Sequence, residues 1–381
     1  MKPNGTFSRR DFVKQSSAAV VVAAGAHSSL ALTAEAGAPR GALIPTARGD
    51  AIDASKLGVV LPTELIIQQS PELTNDWPEK TWGGRPEAER IAGVVAILNR
   101  VHAAGVGTII DRTIPGIGRD VRRMKKIALQ TKLNIIVTTG YYTLRDLPYY
   151  FRYREHFPES FPKGEVRLDD LFVQDIQKGI LDTGVHAAAI KVVSDTFGIT
   201  PDVLKVFQAT CRAHRRTGAP IVTHGVGVTD ALLHQKIFVD EGVDLARVVL
   251  AHQDRTPPDV PLGEFERLLG KGSYLSFDGW GPGGTNLVSA NNPSREQNLE
   301  RVAALVRKGF TKQLLLSVGN VAFADVFPPN FFGEGGAKPY TGLFTDVIPG
   351  LKSLGVSDSD ITVMTRNNPQ QMLSTLGKGG Y

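Results

Sequence analysis

With 381 residues, 42% of them apolar, the chain can bury one barrel-sized core or two smaller ones. Its net charge is +5, but residues 1–36 hold Lys2, Arg9, Arg10 and Lys14 against Asp11 and Glu35, and the +3 left for the remainder is too weak for a nucleic-acid partner. The single cysteine, Cys211, excludes an intrachain disulfide and a cysteine-based zinc site.

The chain opens with SRRDFVK, a moderately apolar stretch QSSAAVVVAAGAHSSLAL, and a small-residue cleavage pattern ending near Ala36. Arg9 and Arg10 followed by Phe12 point to a twin-arginine signal over residues 1–36, a receptor-read address for export to the periplasm or beyond. The apolar run falls short of the ~20 residues of a membrane span, so no span is expected after processing. Residues 37–55, rich in Ala, Gly, Pro and Thr, read as a linker without a core of its own. A single domain is expected over 56–381.

From Leu57 short apolar runs alternate with segments of helical periodicity. LGVVLPTELII, VGTIIDRTI and LNIIVTTGYY read as strands, with RPEAERIAGVVAILNRVHAAG and DVRRMKKIALQTK between them as helices. Five further strands follow: HAAAIKVV, APIVTHG, ARVVLAH, SYLSFD and KQLLLSV, each preceded and followed by a helical pattern. Eight strands each followed by a helix are what a (β/α)₈ barrel requires. An open doubly wound sheet is the other architecture considered, but no Gly-rich phosphate-binding turn opens any helix.

Parallel strands bring their carboxyl ends to one face, where Lys191, His224 and His252 then meet. Imidazoles are common zinc ligands, whereas a protonated lysine cannot ligate, so Lys191 is neutral, carbamylated, or a simple charge there. Four long connections follow strands one, three, seven and eight. Their aromatic residues, among them Trp77, Trp82, Tyr142, Tyr149, Phe327 and Phe331, suit an apolar organic substrate, packing on one another, or contact between two copies of the chain.

The blocks AAGVGTIIDRTIPGIGRDV, NIIVTTGYY, AAIKVV, RAHRRTGAPIVTH, IFVDEGVDLARVVLAH and GVSDSDITVMTRNNPQQML resemble the phosphotriesterase family of the amidohydrolase superfamily. That resemblance implies a (β/α)₈ hydrolase in which a carbamylated lysine bridges two divalent ions and a bridging hydroxide attacks an ester, lactone or phosphotriester. Lys191, His224 and His252 match the lysine and the two second-ion histidines. The first-ion positions depart from the pattern: Thr63 and Leu65 stand where His-x-His is expected, and Gly319 stands where an aspartate binds metal and accepts a proton. Arg255 replaces an acidic residue after the third histidine, with Asp254 one position earlier. With Thr63 and Leu65 inward, alternation turns Glu64 away from the barrel axis, whereas a one-residue slip would turn it inward as a partial replacement. The expectation is therefore one ion, zinc or another divalent metal, on Lys191, His224 and His252. Lys191 and Asp254 are the candidate catalytic residues, and a non-catalytic ligand-binding descendant is the competing reading.

Overall fold

The computed structural model describes residues 41–80, 86–156, 166–280, 293–325 and 337–381. The expected leader, Trp82, Phe327 and Phe331 lie outside them. The expected linker is in part structured: β1 (Leu43–Pro45) and β2 (Ala51–Asp53) pair antiparallel, with Ile44 opposite Ile52. Strands of three residues carry too little pattern to read in a sequence, yet Ile44, Ala47 and Ala54 are buried. Arg48 anchors the hairpin through bonds to the carbonyls of Ala128, Thr131 and Leu133 and to Asn134 Oδ1.

The expected barrel is present. Its strands are β3 (Val59–Gln68), β4 (Val106–Asp111), β5 (Asn134–Gly140), β6 (Ala187–Val193), β7 (Ile221–His224), β8 (Val248–Leu250), β9 (Tyr274–Phe277) and β10 (Leu314–Leu316), all parallel. A ninth strand, β11 (Val321–Ala324), falls within the connection expected to be a loop, and pairs parallel with β3, Val321 opposite Leu65. Because β10 and β11 are successive parts of one chain run, the ends of the sheet meet and the barrel closes. Interior positions from alternate residues, Val60, Ile110, Ile136, Val222, Val249 and Leu315, pack with Ile44 and Leu57 beneath them. The outward positions, such as Ile109, Ile190 and Phe277, meet the surrounding helices.

Local signals place those helices. Pro201–Thr217 starts at Thr200, whose side chain accepts from Val203 N, and ends at Gly218 in the left-handed conformation, φ 70°. Arg295–Arg307 starts with a capping box of Ser294 and Gln297. No helix among the described residues is long and apolar enough to cross a membrane.

The seam between β10 and β11 is held by Glu64. Its Oε1 accepts from Ser317 Oγ at 2.5 Å, Val318 N at 2.9 Å and Gly319 N at 3.0 Å, and its Oε2 accepts from Asn320 N at 2.6 Å. A register irregularity between Leu61 and Glu64 on β3 accompanies this contact.

Candidate metal centre

Alternation along the strands carries several side chains from the interior layer up to the carboxyl face. Ala189 leads to Lys191, Val222 to His224, and Tyr274 through Ser276 to Asp278. His252 breaks that rule. It lies two residues past β8 in the left-handed conformation, φ 59° and ψ 37°, which turns a side chain that would otherwise face outward toward His224. A non-glycine residue held there stores strain of about 1–3 kcal/mol, a cost found preferentially at functional sites.

The two imidazoles converge. His252 Nε2 lies 2.9 Å from His224 Nδ1, and each ring has a carboxylate on its far nitrogen. Asp278 Oδ1 accepts from His252 Nδ1 at 2.6 Å, while Asp195 Oδ2 stands 3.6 Å from His224 Nε2 and accepts from Tyr142 Oη at 2.9 Å. Asp278 fixes the proton on His252 Nδ1, and a proton on His224 Nε2, the nitrogen facing Asp195, would leave both inner nitrogens presenting lone pairs to one point. Two such lone pairs repel unless a proton or a cation stands between them. Ligands on one tetrahedral zinc ion, each at 2.0–2.1 Å, lie ~3.3 Å apart, close to the observed spacing. The donor set therefore fits a single divalent ion.

Charges agree with this. Burial pushes His224 down to about 4, against the pull of Asp195, and pushes His252 well below its ordinary value. Lys191, 2% exposed, is driven well down by burial and then by the Arg112 charge. Both histidines are therefore uncharged near neutrality, as metal ligands must be, and the shift of Lys191 runs in the same direction. For Asp278 burial works upward, but His252 and Arg112 outweigh it and the carboxyl stays ionised. Asp195 is likewise held low by His224 and Tyr142 against its own burial.

Asp254 lies behind Asp278. Its Oδ1 accepts from Asp278 N at 3.0 Å, and burial followed by the Asp278 charge raises it to about 7. Oδ2 of Asp254 has no partner among the described residues and sits where a Cβ on residue 279 would be, 1.7 Å away, which requires glycine there. His252, Asp254 and Asp278 also have donor atoms within 4.8 Å of one another, although Asp278 Oδ1 is already engaged by His252 Nδ1. The first-ion positions offer no ligand: Thr63 is buried, Leu65 is an apolar, half-buried side chain, and Gly319, φ 56°, would bring a Cβ to 2.4 Å from the Asp278 carbonyl.

The model of the Phosphotriesterase family matches residues 43–373. The chain belongs to the phosphotriesterase family. A Phosphotriesterase homology protein of Mycobacterium tuberculosis is 38% identical over 340 residues, covering 88% of this chain and 98% of that one. An Aryldialkylphosphatase of Saccharolobus solfataricus is 30% identical over 343 residues, covering 87% and 99%. The solved structure of the phosphotriesterase from Mycobacterium tuberculosis superposes with a TM-score of 0.77 at 36% identity, covering 89% of this chain and 100% of that chain. In the phosphotriesterase-family barrel of this chain Lys191 lies within β6, His224 ends β7 and His252 follows β8. Sequence reasoning missed Asp278, Asp195 and Arg112, and named Tyr142 only as a loop aromatic. A signal was present for two of them, since IIDR and SFD place Arg112 and Asp278 just past apolar strands, where His224 also sits.

Proposed function

We propose that the chain is a metal-dependent hydrolase with one divalent ion, zinc or a close equivalent, held by His224 Nδ1, His252 Nε2 and Lys191, acting on a carboxylic ester or lactone. The convergence of two carboxylate-backed imidazoles at 2.9 Å carries this reading. When bound, the ion supplies a water of lowered pKa and polarises the substrate. Asp278 and Asp195 hold the imidazoles in the ligating tautomers. Tyr142 orients Asp195 through its hydroxyl and lays its ring 5.3 Å from Lys191 Nζ, a wall that limits water around the amine. Asp254, uncharged up to about pH 7, leaves Asp278 the charged member of the carboxyl pair. The exposed Trp77, Tyr149 and Tyr150 support an apolar acyl or leaving group. Arg9 and Arg10 support export of the folded chain, and a reporter fused to residues 1–45 that stays cytoplasmic would oppose it.

The test is elemental analysis of the purified protein together with turnover on a panel of aryl esters, lactones and phosphotriesters. One ion per chain is expected, with turnover lost on chelation and on His252→Ala. Two ions per chain, or none after reconstitution, would refute the single-ion centre. One ion with no turnover on the panel would favour a ligand-binding descendant.

A further inference from the structure

Arg112 is a buried charge that lies among the residues of the metal centre without being one of its proposed ligands. It stands one residue beyond β4, inward by the alternation from Ile110, and is 3% exposed. Its amide donates to Glu64 O at 2.9 Å, its Nη2 donates to Thr63 O, and its carbonyl accepts from Lys191 Nζ at 3.1 Å. Nε and Nη1 have no partner among the described residues. Arg48 shows what a structural arginine looks like in this protein: its Nε, Nη1 and Nη2 are all engaged. A buried guanidinium with two idle donors is costly to keep unless another acceptor arrives.

Two relations give that charge a place in the site. Thr63, whose carbonyl it holds, stands at a first-ion ligand position of the family pattern. Asp278, which fixes His252, is also the carboxylate whose charge bears most strongly on Arg112. The guanidinium and the histidine pair are thus tied to one carboxylate. Arg255 Nε, buried nearby and of like charge, also lacks a partner among the described residues.

We propose that Arg112 binds the oxygen of the substrate's reacting group, carbonyl or phosphoryl, and supplies a fixed positive charge where the family pattern has its first ion. The proposal rests on the hydrolase reading above. As the water oxygen bonds to the acyl carbon, the C=O pair moves onto the oxygen that Nε and Nη1 hold. As that pair returns, the bond to the leaving oxygen breaks, and the departing alkoxide takes the proton that the water gave up. Preorganised donors aimed at a developing oxyanion are among the largest catalytic contributions known, and a guanidinium keeps its charge at any working pH.

Phenylphosphonate, which offers a phosphoryl oxygen without a scissile ester, is the probe. It is titrated calorimetrically into the metal-loaded and the chelator-stripped protein. Arg112→Met should weaken binding roughly 10- to 100-fold in both forms, the scale of a lost bond to a charged group, with circular dichroism unchanged. Arg112→Lys should fall between, and added ethylguanidinium should restore part of the affinity of Arg112→Ala, which a merely structural role would not allow. If Arg112→Met fails to fold, Arg112→Gln against Arg112→Lys carries the comparison, with lysine the tighter. Equal affinity in a folded Arg112→Met, or no phenylphosphonate bound by the parent in either form, overturns the proposal. A parent that takes up no ion sinks the metal reading, and the stripped-protein titration then decides on Arg112 by itself.

Discussion

The Gly319 amide donates to Glu64 Oε1 at 3.0 Å, so the residue at the family's aspartate position is bonded to the one acidic side chain between the two missing histidines. Glu64 is fully buried and spends its carboxylate on three amides and one hydroxyl of residues 317–320. An acidic group that aligns with a ligand triplet has become a clasp across the barrel seam.

Substituting that clasp should be felt throughout the barrel. Glu64→Gln keeps the volume but turns an NH₂ group toward donors, and should lower stability by roughly 1–3 kcal/mol, the penalty for buried donors left unpaired. Urea denaturation reads this directly. A loss under 0.5 kcal/mol would mean that the seam is held by the β3 and β11 pairing alone.

Restoring the lost ligands should fail for reasons of backbone rather than charge. At Gly319 a Cβ would stand 2.4 Å from Asp278 O with φ at +56°, so Gly319→Asp must shift a main-chain carbonyl next to His252's partner. The triple variant Thr63→His, Leu65→His, Gly319→Asp is expected to lose about 2 kcal/mol or more and to bind no second ion by elemental analysis. Two ions in a variant as stable as the parent would show that the turn reshapes freely.

Gly279 and Asp254 should prove coupled. A Cβ at 279 would lie 1.7 Å from Asp254 Oδ2, so Gly279→Ala should destabilise by roughly 2–4 kcal/mol as the carboxyl is pushed aside. In the double variant with Asp254→Ala the clash partner is gone, and most of that loss should be recovered. A double-mutant cycle in thermal or urea denaturation measures the coupling, and additive losses would rule out the contact as the cause.

Acid should loosen the metal-free protein in a defined window. His224 titrates near 6.5 when unfolded and at about 4 when folded, so below 6.5 the unfolded chain binds the extra proton first. Stability is therefore level above about 6.5, falls as pH drops toward 4, and loses at most about 3 kcal/mol from this residue. His252 shifts in the same direction. Denaturation midpoints of the chelator-stripped protein across this range check it, and His224→Gln should flatten the slope. A midpoint that does not move between pH 7 and pH 4.5 would refute the shift.

The barrel was legible because eight apolar runs punctuate the chain at regular intervals, and burial of both strand faces leaves little room for another pattern. His224 and His252 were legible because each ends or follows such a run, and Lys191 because a lysine interrupts one. The convergence of the imidazoles was not, since His252 reaches His224 only through a left-handed backbone that alternation does not foresee. Glu64's role was not legible, since its four partners lie more than 250 positions on and the register of β3 is irregular just before it, beyond any local signal. Arg112 passed unremarked because a strand-end arginine ordinarily reaches solvent, and only the structure shows it 3% exposed. The hairpin at 43–53 was hidden by a composition that reads as linker.

The break between β10 and β11 also bears on the order in which the chain can fold. Thr63 N meets Ser317 Oγ across 254 positions of sequence, and Glu64 gains its partners only with residues 317–320. During synthesis β3 therefore presents an unpaired flank until about five-sixths of the chain has emerged. A parallel strand edge left open that long is a template for pairing with another copy. Weakening the clasp should then show first as a lower yield of soluble protein during refolding, before any change in the finished barrel.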